Sequence, residues 1–247
     1  MTNRGDLEDV AFFAANMKIG RWSLVASGIA LIAVVVLAIA SDLGLGLGDP
    51  PPVGDNLQQQ AIDSFESHEE SYLAYGRWAN LALAAAFGGL MVAVPFVPVL
   101  RNARHLLIAG SGIAVIGQAI DLSQLIGIDV ARFALDNNHM SDFAVGNMYQ
   151  IGINQTASFV WVAGLFITGI GMLVASRDTS PDRRWRAVTR VFGVVLIATG
   201  LAEISSQLQF LQIAQYATAA WALAWIVATL KRTSDARAAR QLAVSRD

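Results

Sequence analysis

The sequence predicts an all-α protein, a polytopic membrane bundle of six transmembrane helices, and three observations carry that prediction. The chain of 247 residues is 55% hydrophobic and only 15% charged, with a mean hydropathy of +0.49, which is too apolar for an ordinary soluble domain. Six apolar runs lie at about 22–41, 78–100, 105–127, 156–176, 187–209 and 213–230; at ~1.5 Å per residue the first five are long enough to cross a hydrocarbon core of ~30 Å, and the last is a shorter span. Fifteen of the seventeen Lys and Arg residues fall in the N-terminal segment, the 101–104 turn, the 177–190 turn and the tail. The positive-inside rule then predicts both termini in the cytoplasm and the two long loops outside.

In chain order, Leu7, Val10, Phe13, Ala14 and Met17 recur at helical spacing among acids, which predicts a short interfacial helix before the first span. Ala38-Ile39-Ala40 resembles a signal-cleavage site. The preceding acidic region and the length of the apolar run predict a retained helix instead. Glycines and Pro50-Pro51-Pro52 mark a linker, followed by an amphipathic helix with Leu57, Ala61, Phe65 and Tyr72 on one face and Asn56 as its cap. Residues 42–76 hold seven acids and no Lys or Arg. Pro95 and Pro98 fall near the end of the second span, where a lost backbone bond is cheap. Residues 128–155 read as a second polar loop, with Val130, Phe133, Ala134 and Phe143 on the membrane surface. Together the two loops are expected to form a small extracytoplasmic cap.

The chain also carries an internal repeat. Sliding it by 83 positions sets residues 78–125 on 161–208 with eleven gapless identities over 48 positions. They include Trp78 on Trp161, Gly110 on Gly193, Gly117 on Gly200 and Ser123-Gln124-Leu125 on Ser206-Gln207-Leu208. Two helices joined by a basic turn are thus written twice, within a single membrane domain. The pairs Ala84/Gly88, Ala85/Gly89, Gly110/Ala114 and Gly171/Ala175 have the small-xxx-small spacing that lets helix backbones approach.

Two carboxylates fall inside predicted spans, Asp121 in the third and Glu203 in the fifth, each on the order of 9 Å from its outer helix end. An unpaired carboxylate in hydrocarbon costs on the order of 2.5 kcal/mol or more, so each should face protein or water, or take up a proton. Gln118 and Gln124 share the stripe of Asp121, and Gln207 lies four residues after Glu203. Arg77, Asn80, Asn154 and Gln155 open the neighbouring spans at similar depth. These residues predict an outward-facing polar cavity between the repeated hairpins, with the two acids as ligand or proton sites. The alternative is a structural network in which Arg77 neutralises one acid and the glutamines satisfy the other. The acids are not equivalent copies, because the repeat aligns Asp121 with Ile204 and Ile120 with Glu203.

Other chemistries are addressed by what the chain lacks. It has no cysteine, which excludes disulfides, thiolate metal sites and a Cys nucleophile. His68 among Glu66, Glu69 and Glu70, and His139 among Asp136 and Asp142, are weak metal candidates, and their spacing matches no metal motif. Asp136 and His139 would share a helical face. Of the histidines only His105 lies near a span, so a haem held by two axial histidines is not expected. Gly110-Ser111-Gly112 lacks the Gly-x-Ser-Gly order of rhomboid-type proteases. The chain carries no Gly-x-Ser-x-Gly elbow, P-loop or His-Glu-x-x-His helix. No basic, aromatic-interleaved surface points to nucleic acid.

The Arg-rich turn at 183–190 lies between the Gly-rich spans Trp161 to Ser176 and Val191 to Leu208. With Pro181, Arg186 and the Trp221/Trp225 helix, that pattern resembles a bacterial six-helix family of membrane proteins catalogued as a domain of unknown function. The resemblance covers about the last hundred residues. It implies a bacterial cytoplasmic membrane and supplies no activity.

The expected function is binding or transport of a small polar or amphiphilic molecule from the outer side, coupled to protonation of Asp121 or Glu203, because a carboxyl group in low dielectric titrates upward. No cofactor is expected. The bilayer, a small-molecule ligand and either a homo-oligomer or a membrane-complex partner are the expected contacts. The alternative is an accessory or scaffold subunit, and a membrane enzyme without a recognisable motif is third.

Overall fold

The structure is a computed structural model that describes residues 4–45, 56–177, 182–205 and 208–244. All regular elements among them are helical, and six helices are long and apolar enough to cross a membrane. The chain is an all-α integral membrane bundle. Pro50-Pro51-Pro52, Pro181 and Gln207 lie outside the described residues, as do the side chains of Leu7, Val10, Phe13 and Ala14.

Helix α1 runs unbroken over Arg4–Asp42, so the separate interfacial helix expected before the first span is instead its first turns. Gly20, near the expected junction, serves a close contact: a Cβ at that position would lie 3.0 Å from the Cβ of Phe96. Helix α2 (Leu57–Ser71) begins as predicted, with the Asn56 side chain accepting from the Gln59 amide at 2.8 Å. It passes through a π-helical turn at Tyr72–Gly76 into α3 (Arg77–Ala93) without leaving helical geometry. The second span therefore continues above the membrane as the predicted amphipathic helix. At its other end Pro95 and Pro98 turn the chain into short 3-10 segments over Val94–Phe96 and Pro98–Ala103, so the α-helix stops before residue 100.

Helix α4 (Arg104–Leu122) gives way at Ser123 to α5 (Gln124–Asp136), and α6 covers Met140–Ala175. This corrects the expected polar loop at 128–155, which is a helical hairpin turning at Asn138, where φ is +59°. At ~1.5 Å per residue the 36 residues of α6 measure about 54 Å, well beyond a ~30 Å core. Helices α7 (Arg183–Ser205) and α8 (Leu208–Val244) complete the chain.

In sequence order α1 packs on α3, α3 on α4, α4 on α6, α6 on α7 and α7 on α8, and α8 returns to α1. The main core fills this ring with Leu24, Leu90, Leu107, Leu165, Met172, Leu196 and Trp225. A second core lies under the cap, where Phe65 meets Phe143 edge to face at 5.4 Å and Ile128, Ala131 and Ala134 close around them. Ala134 and Phe143 are thus buried within protein instead of lying on a membrane surface, whereas Val130 and Phe133 are exposed. Arg132 clamps the cap by pairing with Glu66 at 3.2 Å and with Glu69, while its guanidinium sits 5.8 Å from the Phe65 ring.

The small-residue pairs divide. Gly89 admits Ser23 and Ser27 of α1, and Gly171 admits Leu107 of α4. Gly110 and Ala114 meet Thr168 and Gly164 of α6. Gly88 is different: a Cβ there would touch only Val115, at 4.0 Å, so no close helix approach depends on it.

Candidate functional site

The sequence-predicted residues converge in part, and Asp121 is their centre. It lies in the last turn of α4, just before the break at Ser123. Its carboxylate accepts hydrogen bonds from the side-chain amides of Asn80 on α3 and Gln124 on α5. Tyr72, from the π-helical turn, donates its hydroxyl to the main-chain oxygen of Asp121 at 2.8 Å and stands 3.4 Å from Oδ2. Helix ends leave carbonyls without intrahelical donors, and Tyr72 supplies one across the helix interface.

Local sequence explains why Tyr72 reaches that far. A Cβ on Gly76 would lie 2.7 Å from Cδ2 of Tyr72, so the ring occupies the space that only glycine leaves free. His68, one turn earlier, stacks on the other side of the Tyr72 ring at 5.8 Å and 19°. It also faces Gln124. The imidazole Nε2 and Gln124 Oε1 are both buried, and neither has a hydrogen-bond partner among the described residues. The series His68, Gln124, Asp121, Asn80 and Tyr72 is a single polar cluster that spans α2, α3, α4 and α5.

Among the described residues no ion pair joins Arg77 to Asp121 or Glu203. The Arg77 guanidinium lies 5.0 Å from the centre of the Trp78 ring, an interfacial stack in place of an ion pair. Charge on Asp121 is instead met by neutral donors, which is how a buried carboxylate avoids the full cost of desolvation.

Glu203 does not join the hydrogen-bonded cluster. On α7 it interacts with Ser158 of α6 and lies within electrostatic range of Asp121. Gln118 is buried, with its Oε1 unpartnered. Asn154 and Gln155 are exposed on α6 and share no hydrogen bond with Asp121. Gln150 was not anticipated: it is buried on α6 against Gly127.

The larger of the two described cavities is a cleft of about 210 Å³. Leu37, Ala38 and Ser41 of α1 form one wall, and His68, Ser71 and Tyr72 form the other. Tyr75, Gly76 and Ala79 line the rest. This cleft opens between α1 and the α2–α3 helix, apart from the space between the repeated hairpins, and neither Asp121 nor Glu203 lines it. Tyr72 lines the cleft and also reaches the Asp121 carboxylate, and His68 lines the cleft stacked on the Tyr72 ring. A smaller apolar crevice among Leu24, Leu90, Phe192, Ala222 and Trp225 lies deeper in the ring.

The metal candidates take other roles. Glu66 and Glu69 are engaged by Arg132. His139 precedes α6 and pairs with Asp142 at 3.5 Å, so Asp136 and His139 do not share one helix face. Among the described residues no three His, Asp or Glu side chains converge on a metal-sized point.

No family model matches the chain, and neither a curated protein nor a solved structure does.

Proposed function

We propose that this integral membrane protein binds, and carries, a small polar or amphiphilic molecule through the cleft between α1 and the α2–α3 helix. One observation carries that reading: an open cleft of about 210 Å³ shares the side chains of His68 and Tyr72 with a buried carboxylate cluster. Occupancy of the cleft acts on Tyr72, and through it on Asp121, so ligand binding is coupled to the protonation of Asp121. The cap faces outward in a bacterial cytoplasmic membrane and both termini face the cytoplasm, in keeping with the segregation of Lys and Arg. The two helix hairpins α3–α4 and α6–α7 are the duplicated units.

The test is reconstitution into liposomes with an imposed pH gradient and a panel of labelled solutes. Solute or proton flux is expected from the native chain, with loss in Asp121→Asn and Tyr72→Phe. Absence of flux and of binding across a broad panel removes the reading. Orientation is read separately by single cysteines, which a cysteine-free chain makes unambiguous: Ser64→Cys should label from outside and Asp235→Cys only after permeabilisation.

A second reading, an accessory subunit of a membrane complex, is favoured by the exposed apolar stripe Ile126, Val130 and Phe133 on α5, continued by Val145 and Met148 on α6. Native mass spectrometry from mild detergent separates the two, because a subunit retains partner proteins and a carrier retains only small molecules or copies of itself.

A further inference from the structure

The cleft also shows what kind of head group it suits. Among the described residues no charged side chain lines it; its polar side chains are Ser41, Ser71, Tyr75, His68 and Tyr72, whose hydroxyl is already given to Asp121. A charged head would lose its hydration there and gain no counter-ion. The state of His68 follows from its neighbours. Gln124 donates its amide NH2 to Asp121, which turns its otherwise unpartnered Oε1 toward His68, whose Nε2 is likewise unpartnered. The pair is satisfied when His68 carries its proton on Nε2 and gives it to Gln124. Its Nδ1 is then a lone-pair acceptor, and the complementary ligand group is a hydroxyl.

On α1 the cleft is lined by Leu37 and Ala38, whose apolar side chains suit a hydrocarbon tail beside the polar head. We propose that the cleft holds the hydroxyl-bearing head of an uncharged, single-tailed amphiphile. The hydroxyl donates to His68 Nδ1, a second head-group oxygen accepts from Ser41, Ser71 or Tyr75, and the tail lies against Leu37 and Ala38. This inference rests on the cleft being a ligand site, as proposed above. A phenolic head and a glyceride head share the required chemistry.

The experiment uses the full chain in nanodiscs and measures binding of 4-octylphenol and monooctanoylglycerol. Comparison ligands are 4-octylanisole, which lacks the donor, and two charged amphiphiles of similar tail, octanoate and octyltrimethylammonium. Ala38→Phe obstructs the cleft, and Ser41→Leu provides a second obstruction should the first variant not fold. His68→Phe keeps an aromatic ring against Tyr72 and removes the acceptor. At least one hydroxyl ligand should bind and be weakened about tenfold or more by an obstruction. It should exceed the anisole by about tenfold, the worth of one hydrogen bond left unmade, and that preference should vanish in His68→Phe. Binding of the phenol alone assigns an aromatic head, and of the glyceride alone an aliphatic one. If a charged amphiphile or the anisole binds best and is displaced by the obstruction, the hydroxyl inference is wrong while the cleft remains a ligand site. If no ligand responds to obstruction, both ideas fall together.

Discussion

Tyr72 donates to the main-chain oxygen of Asp121 at 2.8 Å across 49 residues of chain, and it does so from a π-helical turn whose Gly76 leaves room for its ring. π-turns are uncommon and recur at functional sites. Here the turn aims a phenol that would otherwise project elsewhere on the helix. The bond ties the helix carrying the cap to the break between α4 and α5.

Tyr72→Phe removes the donor and leaves a helix-end carbonyl without it, which should cost about 1–3 kcal/mol and lower the melting temperature in detergent. Gly76→Ala should act through the same ring, because its Cβ would lie 2.7 Å from the Tyr72 side chain. The double variant is therefore expected to cost clearly less than the sum of the single changes. Full additivity would show that Gly76 serves something other than Tyr72.

Asp121→Asn replaces one acceptor oxygen by a donor amide, set against two amides that already donate to that side chain. The cheapest repair is for Gln124 to turn over, giving its oxygen to the newly introduced amide and its NH2 to His68. His68 Nε2 must then accept, which moves the imidazole proton to Nδ1. With three histidines in the chain, nitrogen NMR of the imidazoles can follow this directly. The His68 tautomer should invert in Asp121→Asn and stay unchanged in Glu203→Gln. No change in the aspartate variant would break the proposed link from carboxylate to cleft.

The sequence made the bundle legible because hydropathy and Lys/Arg placement are properties of whole segments, and both survive errors of a few residues at helix ends. It reached Asp121 for a related reason: a carboxylate stands out in an apolar run. The partners were harder. Asn80 and Gln124 were candidates because amides are also conspicuous there, whereas Tyr72 read as one more apolar position on an amphipathic face. Its role depends on a π-turn, and no simple residue pattern specifies one. The spacing Tyr72 to Gly76 was the available hint. Arg77 misled because charge suggests an ion pair, yet an adjacent Trp at the interface offers a cationic group a competing site. The cleft beside α1 was not legible for a different reason: the repeat drew attention to the hairpins, and α1, which supplies one of its walls, lies outside the repeat.

Arg132 is half-exposed, but its partner Glu69 is largely buried. Removing the cation should therefore cost more than the ~0–1 kcal/mol typical of a surface pair, because a shielded carboxylate is left behind. Arg132→Met is expected to raise hydrogen exchange in α2 and α5 while α6 and α7 keep their protection. Adding Glu69→Gln should restore part of the loss. Equal loosening of the whole bundle would mean that the cap is not a separable layer.

The α4–α6 interface gives the sharpest structural expectation, because its register can be followed contact by contact. Gly110 meets Thr168, Ala114 meets Gly164 and Gly117 meets Trp161, each step along α4 matched by an equal step back along α6. Beyond Ser123 the contacts are Gly127 with Gln150 and Ala131 with Gly146. Between Gly117 and Gly127 the chain advances ten residues while α6 retreats eleven, from Trp161 to Gln150. The break explains the difference: Ser123 N bonds Ile120 O and Ile126 N bonds Ser123 O, both three-residue spacings, and such turns rise ~2.0 Å per residue against ~1.5 Å in an α-helix. A Cβ on Gly164 would lie 2.6 Å from the Ala114 nitrogen, against backbone that cannot yield. Gly164→Ala should therefore destabilise strongly, by about 1–3 kcal/mol, the range for an overpacked core. Gly88→Ala, with only Val115 nearby, should be neutral or gain up to about 1 kcal/mol from helix propensity. Thermal melts of the two variants side by side decide it, and equal effects would mean that the register is not the one described.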